Sequence, residues 1–392
     1  MSARSSRITF SVVTMNNGHA HQWMRLAARQ NSGAGGLPFL RAVGFALVWF
    51  ANVICHADPV CVSNETELRQ ALNDAAVSAN QIDEIRLMQG TYFSGGQTFS
   101  YSTAQPHNLS ISGGWYLDHD PCDFQHPQAG TTVLDGQNAT AVLSIINTGN
   151  APGTSLSISN LTLRNGATSS NGESAALAMF GALEQDLRMQ NVIVLSCHNT
   201  RQPPLNIFTN VVTLNSFANV YVINNVIGDS SSNYANLAIF AAYPTQTVYM
   251  HNNVLSLSGA GFGALLDSAG GTAFRLVNNA IVGGIDFNSR TSSDPIRIWL
   301  YSNLGSWGYS SIVTAPIVQA DVGNGPGIDP RFIGPLDFHP AAGSPLVNRG
   351  LNAPFGGSSS VDLDGNARIS LGIIDVGAYE STRERIFVNG FE

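Results

Sequence analysis

Five residues in the C-terminal half of the chain have side chains that suit contact with carbohydrate. They are two arginines and three aromatic residues, Arg275, Arg297, Trp299, Tyr301 and Trp307. A guanidinium group presents a planar fork of donors that matches a carboxylate, and an aromatic ring combines a large apolar surface with a polar handle. We therefore predict possible glycan contacts here. Arginines paired with acids on a solvated strand, and aromatic packing in the core or in turns, are the alternatives.

Acidic residues are scattered through the same part of the chain without a catalytic pattern. Glycoside hydrolysis needs two carboxyl groups that flank one bond, and the candidates occupy unrelated positions: Asp186, Asp229, Asp267, Asp286 and Asp294. The chain has no lysine, which excludes a Schiff base and a lysine base. A non-catalytic protein is favoured, and a polysaccharide lyase or glycoside hydrolase with a divergent site is the runner-up.

A short loop near the C-terminus is spaced like half of a calcium-binding loop. Asp362, Asp364 and Asn366 belong to the stretch DLDGN, and calcium takes oxygen ligands from such acids and amides. The loop lacks a glutamate at the distance of the usual bidentate ligand, so a structural turn is the alternative. Beyond possible calcium, no cofactor is predicted, because no Cys or His spacing suggests a metal site.

The N-terminus has the pattern of an export signal. Three arginines, Arg25, Arg29 and Arg41, precede an apolar run of 13 residues at positions 42–54. That length is typical of a signal peptide and short for a membrane span. Small residues at the −3 and −1 positions predict cleavage after Ala57. We expect an exported protein, extracellular, at the cell surface or periplasmic, without an integral span after cleavage. An uncut anchor is the alternative.

The charge that remains after cleavage is strongly negative. Residues 1–57 hold five of the 18 arginines and none of the 26 acidic residues, which leaves a formal charge of −13. Such a chain has no basic stripe for nucleic acid. Its remaining cysteines are Cys61, Cys122 and Cys197. Because an exported protein can keep a disulfide, we predict a Cys61–Cys122 bridge and leave Cys197 as a buried free thiol.

A repeat must position these side chains. Six similar phrases each contain an asparagine, at intervals of 31, 34, 28, 26 and 24 residues: Asn160, Asn191, Asn225, Asn253, Asn279 and Asn303. Such intervals indicate a solenoid, and a propeller blade needs about 40 residues or more. The period-2, β-branched phrases predict short strands, hence an all-β parallel β-helix. Asparagine tolerates the left-handed conformation of a sharp bend, and stacked amides can bond in a ladder.

The same repeat places Arg275 and Arg297 one coil apart, where they would form a short stack if both point outward. Ahead of the repeat, Asn64 and Glu67 have the spacing of a capping box. Apolar residues then fall on one face of a helix. The predicted solenoid therefore begins with a capping helix.

The repeat phrases SISNLTLRNG and TVLDGQNA resemble those of the right-handed parallel β-helix proteins of the pectin-lyase-like superfamily, over roughly residues 60–380. The segment at 328–350, IDPRFIGPLDFHPAAGSPLVNRG, resembles the closing segment of many such secreted proteins. The segment at 361–380, VDLDGNARISLGIIDVGAYE, is similar to the choice-of-anchor Q region that follows bacterial β-helices. The resemblance implies an exported bacterial β-helix that is often surface-associated. It implies no particular activity.

The predicted organisation has five parts. They are an N-terminal extension with signal peptide at 1–57, a cap with a helix at 58–78, a β-helix at 79–320, a C-terminal region at 321–382 that covers the last coil, and a tail at 383–392. The favoured function is contact with a polysaccharide or cell-surface glycan by a surface-associated β-helix. An adhesin or a structural protein of the envelope is the third alternative.

Overall fold

The computed structural model describes residues 58–80, 82–117, 121–168, 174–199, 209–258, 261–291, 294–355, 357–370 and 372–381. The predicted signal peptide at 1–57 and the tail at 383–392 lie outside the described residues. Within the described ranges, no helix has both the length and the hydropathy needed to cross a membrane.

Parallel strands from successive coils stack into three sheets, named A, B and C. Sheet A contains, in spatial order, β1 (Val60–Val62), β2 (Ile82–Met88), β5 (Asn108–Tyr116), β9 (Ser155–Arg164), β12 (Asp186–Leu195), β15 (Val220–Ile223), β18 (Thr247–His251), β21 (Ala273–Val277), β24 (Arg297–Tyr301) and β26 (Ile317–Val322). Sheet B contains β4 (Phe99–Thr103), β8 (Leu143–Asn147), β11 (Ser174–Phe180), β14 (Asn210–Ser216), β17 (Ala235–Ala241), β20 (Phe262–Ser268), β23 (Ile285–Ser289) and β25 (Trp307–Ile312).

Sheet C lies between the other two in each coil. It contains β3 (Gly90–Phe93), β7 (Thr132–Asp135), β16 (Val226–Ser230), β19 (Val254–Leu257), β22 (Ala280–Ile281) and the second halves of β9 and β12. The remaining short elements are β6 (Phe124–Gln125), β10 (Ala167–Thr168), β13 (His198–Asn199) and a 3₁₀ turn at Ala129–Thr131. The sheets confirm the prediction of an all-β right-handed parallel β-helix. Crossover connections between parallel strands are right-handed in about 98% of cases.

The interior of the solenoid is one continuous apolar core. Strand residues alternate between the inside and the outside, and the parallel register places equivalent inward residues above one another. One such column in sheet A is fully buried and consists of Leu187, Val220, Val248, Phe274 and Ile298. Each coil therefore buries its inward side chains mainly against its two neighbours, which is how a solenoid is stabilised.

Two columns of asparagine lie at the bend between sheets A and C, where the sequence predicts one. The bend residues have positive φ between 53° and 58° and are Asn160, Asn191, Asn224, Asn252 and Asn278. The register pairs Gln190 with Ile223, which makes Asn191 equivalent to Asn224 and not to Asn225. The single-column alignment is therefore wrong, because each Asn-Asn pair allows two alignments that differ by one residue.

The second column forms an amide ladder inside the bend. Asn225, Asn253, Asn279 and Asn303 each donate Nδ2 to Oδ1 of the next member, at 3.0, 2.8, 2.8 and 2.9 Å, and Asn324 completes the series. Each Nδ2 also donates to a main-chain carbonyl, as Asn253 does to Val222 at 2.8 Å. Because burial of unbonded amides is costly, this bonding makes the column tolerable in the core.

A helix closes the N-terminal end. Helix α1 (Glu65–Val77) begins after Asn64, whose Oδ1 accepts the N–H groups of Thr66 and Glu67. The buried face of α1 consists of Leu68, Ala71, Leu72 and Ala75, which join the solenoid core. Strand β1 already pairs with β2, so the β-helix begins within the segment assigned to the cap. Cys61 and Cys122 form a disulfide with Cα atoms 5.7 Å apart.

The C-terminal region packs along the side of the solenoid. Phe338, Leu346, Leu363, Val376 and Tyr379 form one apolar cluster with outward residues of sheet C, among them Val226, Val254 and Ala280. The expectation that this region covers the last coil is wrong. The outward face of sheet C is itself apolar, and this is the surface that the C-terminal region buries.

Residues 351–364, here called the return segment, cross the coils one after another toward the N-terminus. The carbonyl of Leu351 accepts from Asn278 Nδ2 at 2.9 Å, and that of Val361 accepts from Asn224 Nδ2 at 3.3 Å. Further on, the carbonyl of Asp364 accepts from Gln128 Nε2 at 3.0 Å. The return segment therefore ties several coils together through the bend asparagines.

A buried arginine anchors the C-terminal region to the same bends. Arg368 is 2% exposed and donates Nη2 to the carbonyl of Gly377. In the amide orientation that satisfies its neighbours, Asn252 Oδ1 accepts from Arg368 Nη2 and Nε at 2.6 and 2.7 Å. Burial lowers the pKa of Arg368 to about 10, and the nearby Glu380, Asp362 and Asp375 oppose that shift. Arg368 therefore stays charged at neutral pH.

Candidate functional site

An outward column of sheet A contains two of the five residues predicted to contact glycan, Arg275 and Trp299. The register places Arg188, Tyr221, Tyr249, Arg275 and Trp299 directly above one another, and we call this set the aromatic column. Strand residues on either side of each member point into the core and are buried. The column therefore runs parallel to the solenoid axis across five coils.

The side chains of the aromatic column stack on one another. The guanidinium carbon of Arg188 lies 4.0 Å from the ring centre of Tyr221, and the rings of Tyr221 and Tyr249 are 5.0 Å apart with 9° between their planes. Arg275 lies 5.8 Å from the Tyr249 ring centre and 5.0 Å from that of Trp299. Cations and rings at these distances attract each other, so the column holds its side chains in place.

Arg275 differs from the other arginines of this face because, within the described residues, it forms no ion pair. Arg188 is 3.3 Å from a carboxylate oxygen of Asp186, and Arg297 is 3.4 Å from one of Asp294. Arg275 instead contacts three rings, the third being Phe355 of the return segment at 5.5 Å. Its Nε is buried without a hydrogen-bond acceptor. Arg275 is partly exposed, and a guanidinium held between rings without a carboxylate partner can donate to an incoming acceptor.

The other predicted glycan contacts do not join the column. Arg275 pairs with Trp299 and Arg297 pairs with Ala273, so the predicted stack of two arginines is wrong. Tyr301 lies in the neighbouring outward column, with its ring 5.8 Å from that of Phe355. Trp307 belongs to sheet B and packs against the core. Two aromatic residues close in sequence thus lie on different sheets.

The stacking also decides which ring faces remain available. Because Tyr221 and Tyr249 stack along the axis, their faces are turned toward column neighbours and their edges toward solvent. Trp299 is the exception, since the next residue in the column is Ala320, whose methyl group is too small to cover an indole. Sugar stacking is therefore possible at Trp299, whereas the tyrosines present hydroxyl groups.

His251 lies beside the column but is covered. It occupies the next outward position of sheet A, and its Nδ1 lies 3.0 Å from the carbonyl of Gly357 in the return segment. Burial lowers the pKa of His251 to about 4, against the opposing effect of the Gly357 carbonyl. The imidazole is therefore neutral at physiological pH and lies buried on the outer face of sheet A.

Two acids on the outer face of sheet B form a cluster that sequence reasoning missed. Asp267 and Asp286 occupy neighbouring strands, offset by two residues. Asp267 Oδ2 accepts from Arg290 Nη2 and Nε at 2.7 and 3.0 Å. Burial raises the pKa of Asp267, Arg290 opposes this shift, and Asp286 raises it further. Only the sheet B register, which coils of unequal length conceal in the sequence, brings these acids together.

The sheet B cluster has one accessible carboxyl group. A cavity of about 210 Å³ is lined by Asn215, Phe240, Asp267 and Arg290. Asp286 is 1% exposed, and its two oxygens accept from the main-chain N–H and the hydroxyl of Ser310. Because acid and base roles in glycoside hydrolysis need two carboxyl groups at the substrate, this arrangement does not provide the second one.

The predicted calcium loop is a turn whose oxygens are already bonded. Asp362 Oδ1 accepts the N–H groups of Asp364 and Asn366 at 3.0 and 2.8 Å, and Oδ2 accepts that of Glu380 at 3.0 Å. Asp364 Oδ2 instead faces His339 Nε2 at 2.6 Å. Among the described residues, no three His, Cys, Asp or Glu side chains are grouped to hold a metal ion. The residues therefore do not fit calcium.

Comparison with known proteins assigns this chain to no family. No protein-family model and no curated protein matches the chain. A solved structure of a pectin methylesterase from Aspergillus niger is similar, with 15% identity over 70% of this chain and 88% of that chain, and a TM-score of 0.23. Similarity at this level assigns no residue a role.

Proposed function

We propose that the chain is an exported β-helix protein that binds an extended glycan along the aromatic column without cleaving it. The observation that carries this proposal is Arg275, which is held between two rings and forms no ion pair within the described residues. Holding a donor in its bound geometry lowers the entropy lost on binding. A carboxylate or hydroxyl of a sugar is the acceptor that this guanidinium suits.

The length and direction of the column favour a polymer over a compact ligand. Strands of neighbouring coils are spaced by about 4.8 Å, so the five members extend over about 19 Å along the axis. Tyrosine hydroxyls and arginine donors follow one another at this spacing, and Trp299 offers a ring face at the end. A glycan lying along the solenoid would meet these groups in succession.

Export and surface association are part of the same proposal. The N-terminal signal pattern and the choice-of-anchor Q resemblance support them, and a Cys61–Cys122 disulfide suits an oxidising compartment. A role as an adhesin or as a structural protein of the envelope differs from this proposal in needing no glycan at the column.

A hydrolase or lyase remains the second candidate because of Asp267. Its raised pKa and its bond to Arg290 are features of catalytic carboxyls. The closed environment of Asp286 weighs against this candidate. If the protein is an enzyme, incubation with acidic or neutral polysaccharides will produce new reducing ends or unsaturated products, and Asp267→Asn will abolish them.

Binding is tested on a glycan array with the purified exported chain. We expect Arg275→Gln and Trp299→Ala each to weaken retention at least tenfold. Arg349→Gln and Tyr243→Ala, which change exposed residues that are not members of the column, serve as matched controls and will bind as the unaltered chain does. Equal retention of all four variants would remove the basis of the proposal.

A further inference from the structure

The C-terminal end of the solenoid is open. Within the part of the chain that the structure describes, β26 is the last strand of sheet A and pairs with β24 alone, and β25 is the last strand of sheet B and pairs with β23 alone. Exposed apolar side chains lie on and between these two strands: Tyr309, Val313, Ile317, Val318 and Val322. Unpaired edges with apolar side chains readily pair with a further strand.

The two ends of the solenoid differ, and this limits what can bind the open one. Helix α1 covers the first coil with a buried face that includes Leu68 and Leu72. Among the described residues, the N-terminal end of a second copy therefore offers for head-to-tail stacking only the edge of β1, which is three residues long. The C-terminal region does not close the open end either, because it packs on sheet C.

We propose that the open end binds the same end of a second copy, so that two chains form a two-fold symmetric dimer through antiparallel pairing of their β26 strands. The strand is self-complementary in one register. A two-fold axis between Gln319 and Ala320 places Ile317 opposite the partner's Val322. It also places Val318 opposite the partner's Asp321.

The faces of the strand agree with this register. Ile317 and Val322 pair with Arg297 and Tyr301 of β24, which face outward. Val318 and Asp321 pair with Ile298 and Leu300, which face the core. Outward residues thus meet outward residues and inward residues meet inward ones. The two Asp321 carboxylates avoid direct opposition, and each is bonded to Asn324 Nδ2 at 2.8 Å within its own chain.

The same two-fold axis also brings the β25 edges of the two chains together. An axis that crosses the solenoid from sheet A to sheet B reverses the direction of both sheets while keeping each on its own side. The β25 strands then approach each other antiparallel, which places Tyr309 and Val313 of both chains at the contact. One symmetry operation thus covers both open edges, as a closed isologous interface requires.

Charge distinguishes a second copy from a basic partner. Asp321 is the one charged residue on β26, so the edge offers little to a basic protein. Two chains of net negative charge repel each other weakly over the whole surface, and salt screens that repulsion. Dimerisation is therefore expected to strengthen as salt increases, whereas binding of a basic partner would weaken.

The test is sedimentation equilibrium of the full chain recovered after export. We expect twice the chain mass, with a midpoint that moves to lower protein concentration at higher salt. Ile317→Lys is expected to give the monomer mass, because it places an unpaired charge opposite the partner's Val322. Val77→Lys changes an equally apolar and more exposed residue on α1, and this control will stay dimeric. Thermal melts verify that each variant is folded.

A second variant tests the register itself. Adding Val322→Glu to Ile317→Lys places the new lysine of each chain opposite the new glutamate of the other, at two symmetric sites in the dimer. We therefore expect the dimer mass to return. A monomer mass for the unaltered chain at every concentration would overturn the proposal. A dimer that survives Ile317→Lys, or a folded double variant that stays monomeric, would overturn it equally.

Discussion

Asn253 donates both its main-chain N–H and its side-chain Nδ2 to a single atom, Oδ1 of Asn279 in the next coil, at 3.1 and 2.8 Å. The same pair of hydrogen bonds recurs between Asn279 and Asn303, at 3.0 and 2.8 Å. Each rung therefore fixes the backbone of one coil to the side chain of the next, and loss of one rung leaves several groups unbonded.

The ladder predicts a large cost for an internal rung. Asn279→Ala removes the acceptor of two Asn253 donors and the donor to the Met250 carbonyl. A buried polar group without a partner costs about 1–3 kcal/mol, so we expect the free energy of unfolding to fall by at least about 3 kcal/mol. Urea unfolding measures this change.

The matched control is the last rung, which is partly exposed. Asn324→Ala removes equivalent bonds to Asn303 where water can replace them. We expect a cost of about 1 kcal/mol. Equal costs at both positions would show that the amides contribute by packing and not by bonding.

A glycine in sheet C sets the position of an aromatic ring in the C-terminal region. A Cβ atom at Gly228 would lie 2.0 Å from Cζ of Phe338, so Gly228→Ala must displace the ring. Overpacking costs about 1–3 kcal/mol, and Phe338→Ala costs about 3–5 kcal/mol through lost burial. The double variant is expected to be less destabilised than the sum of the two. Strict additivity in a double-mutant cycle would contradict the contact.

Arg368 is expected to hold the C-terminal region in place. Arg368→Met leaves Asp362 and Asp375 without the buried cation beside them, and removal of one member of a buried ion pair costs about 3–5 kcal/mol. Limited proteolysis will then cut within 330–381 much faster than in the unaltered chain. Arg349→Met changes an exposed arginine of the same region and will leave the cleavage rate unchanged.

The C-terminal region is expected to loosen as pH rises. Burial raises the pKa of Glu380 to about 8, opposed by Arg368, so the folded state holds a proton that the unfolded state loses above about pH 4.5. The bond to Asp364 Oδ2 raises the pKa of His339 to about 9, against the effect of burial. Its stabilising charge is complete below about pH 6.5 and is lost as pH approaches 9.

As pH rises from 5 to 9, the titration of Glu380 and His339 is therefore expected to lower the melting temperature. Calorimetry measures the slope of melting temperature against pH. Glu380→Gln will flatten the slope, because the amide does not ionise, whereas Glu184→Gln, at an exposed position, will not. A melting temperature that rises over this interval would refute the assignment.

Cys197 is expected to be inert in the folded chain. Burial raises its thiol pKa to about 12, and its sulfur accepts the N–H of Gly166 at 3.3 Å. A chain cleaved after Ala57, as we propose, will react with a thiol reagent only after denaturation, and then at one group, because Cys61 and Cys122 are bonded to each other. Rapid labelling of the native chain, or three labelled groups without a reductant, would contradict this.

Sequence patterns predict local features of this fold well. The helix after Asn64 follows from capping and spacing, and the solenoid follows from asparagines that recur at coil length. The same patterns cannot decide which asparagine of a pair makes the bend, since positive φ suits either one. Only the strand register resolves this, and it assigns the bend to Asn252 and the ladder to Asn253.

Contacts between residues of different coils cannot be predicted from the sequence alone. Arg275 meets Tyr249 and Trp299 because three coils share a register, whereas the proximity of Trp307 to Trp299 along the chain suggests a cluster that does not exist. The meeting of Asp267 and Asp286 depends in the same way on sheet B. The sequence therefore predicts some residues of the candidate site but not their neighbours.

The return segment has a consequence for the order of folding. Coils can form in succession as the chain is made, since each needs only the coil before it. The return segment comes late in synthesis and bonds residues far upstream, with separations of 137 positions for Asn224 and Val361 and 236 for Gln128 and Asp364. Such distant closures are slow to form. Once made, they act as a kinetic lock, because coils under the segment can separate only after it has been released.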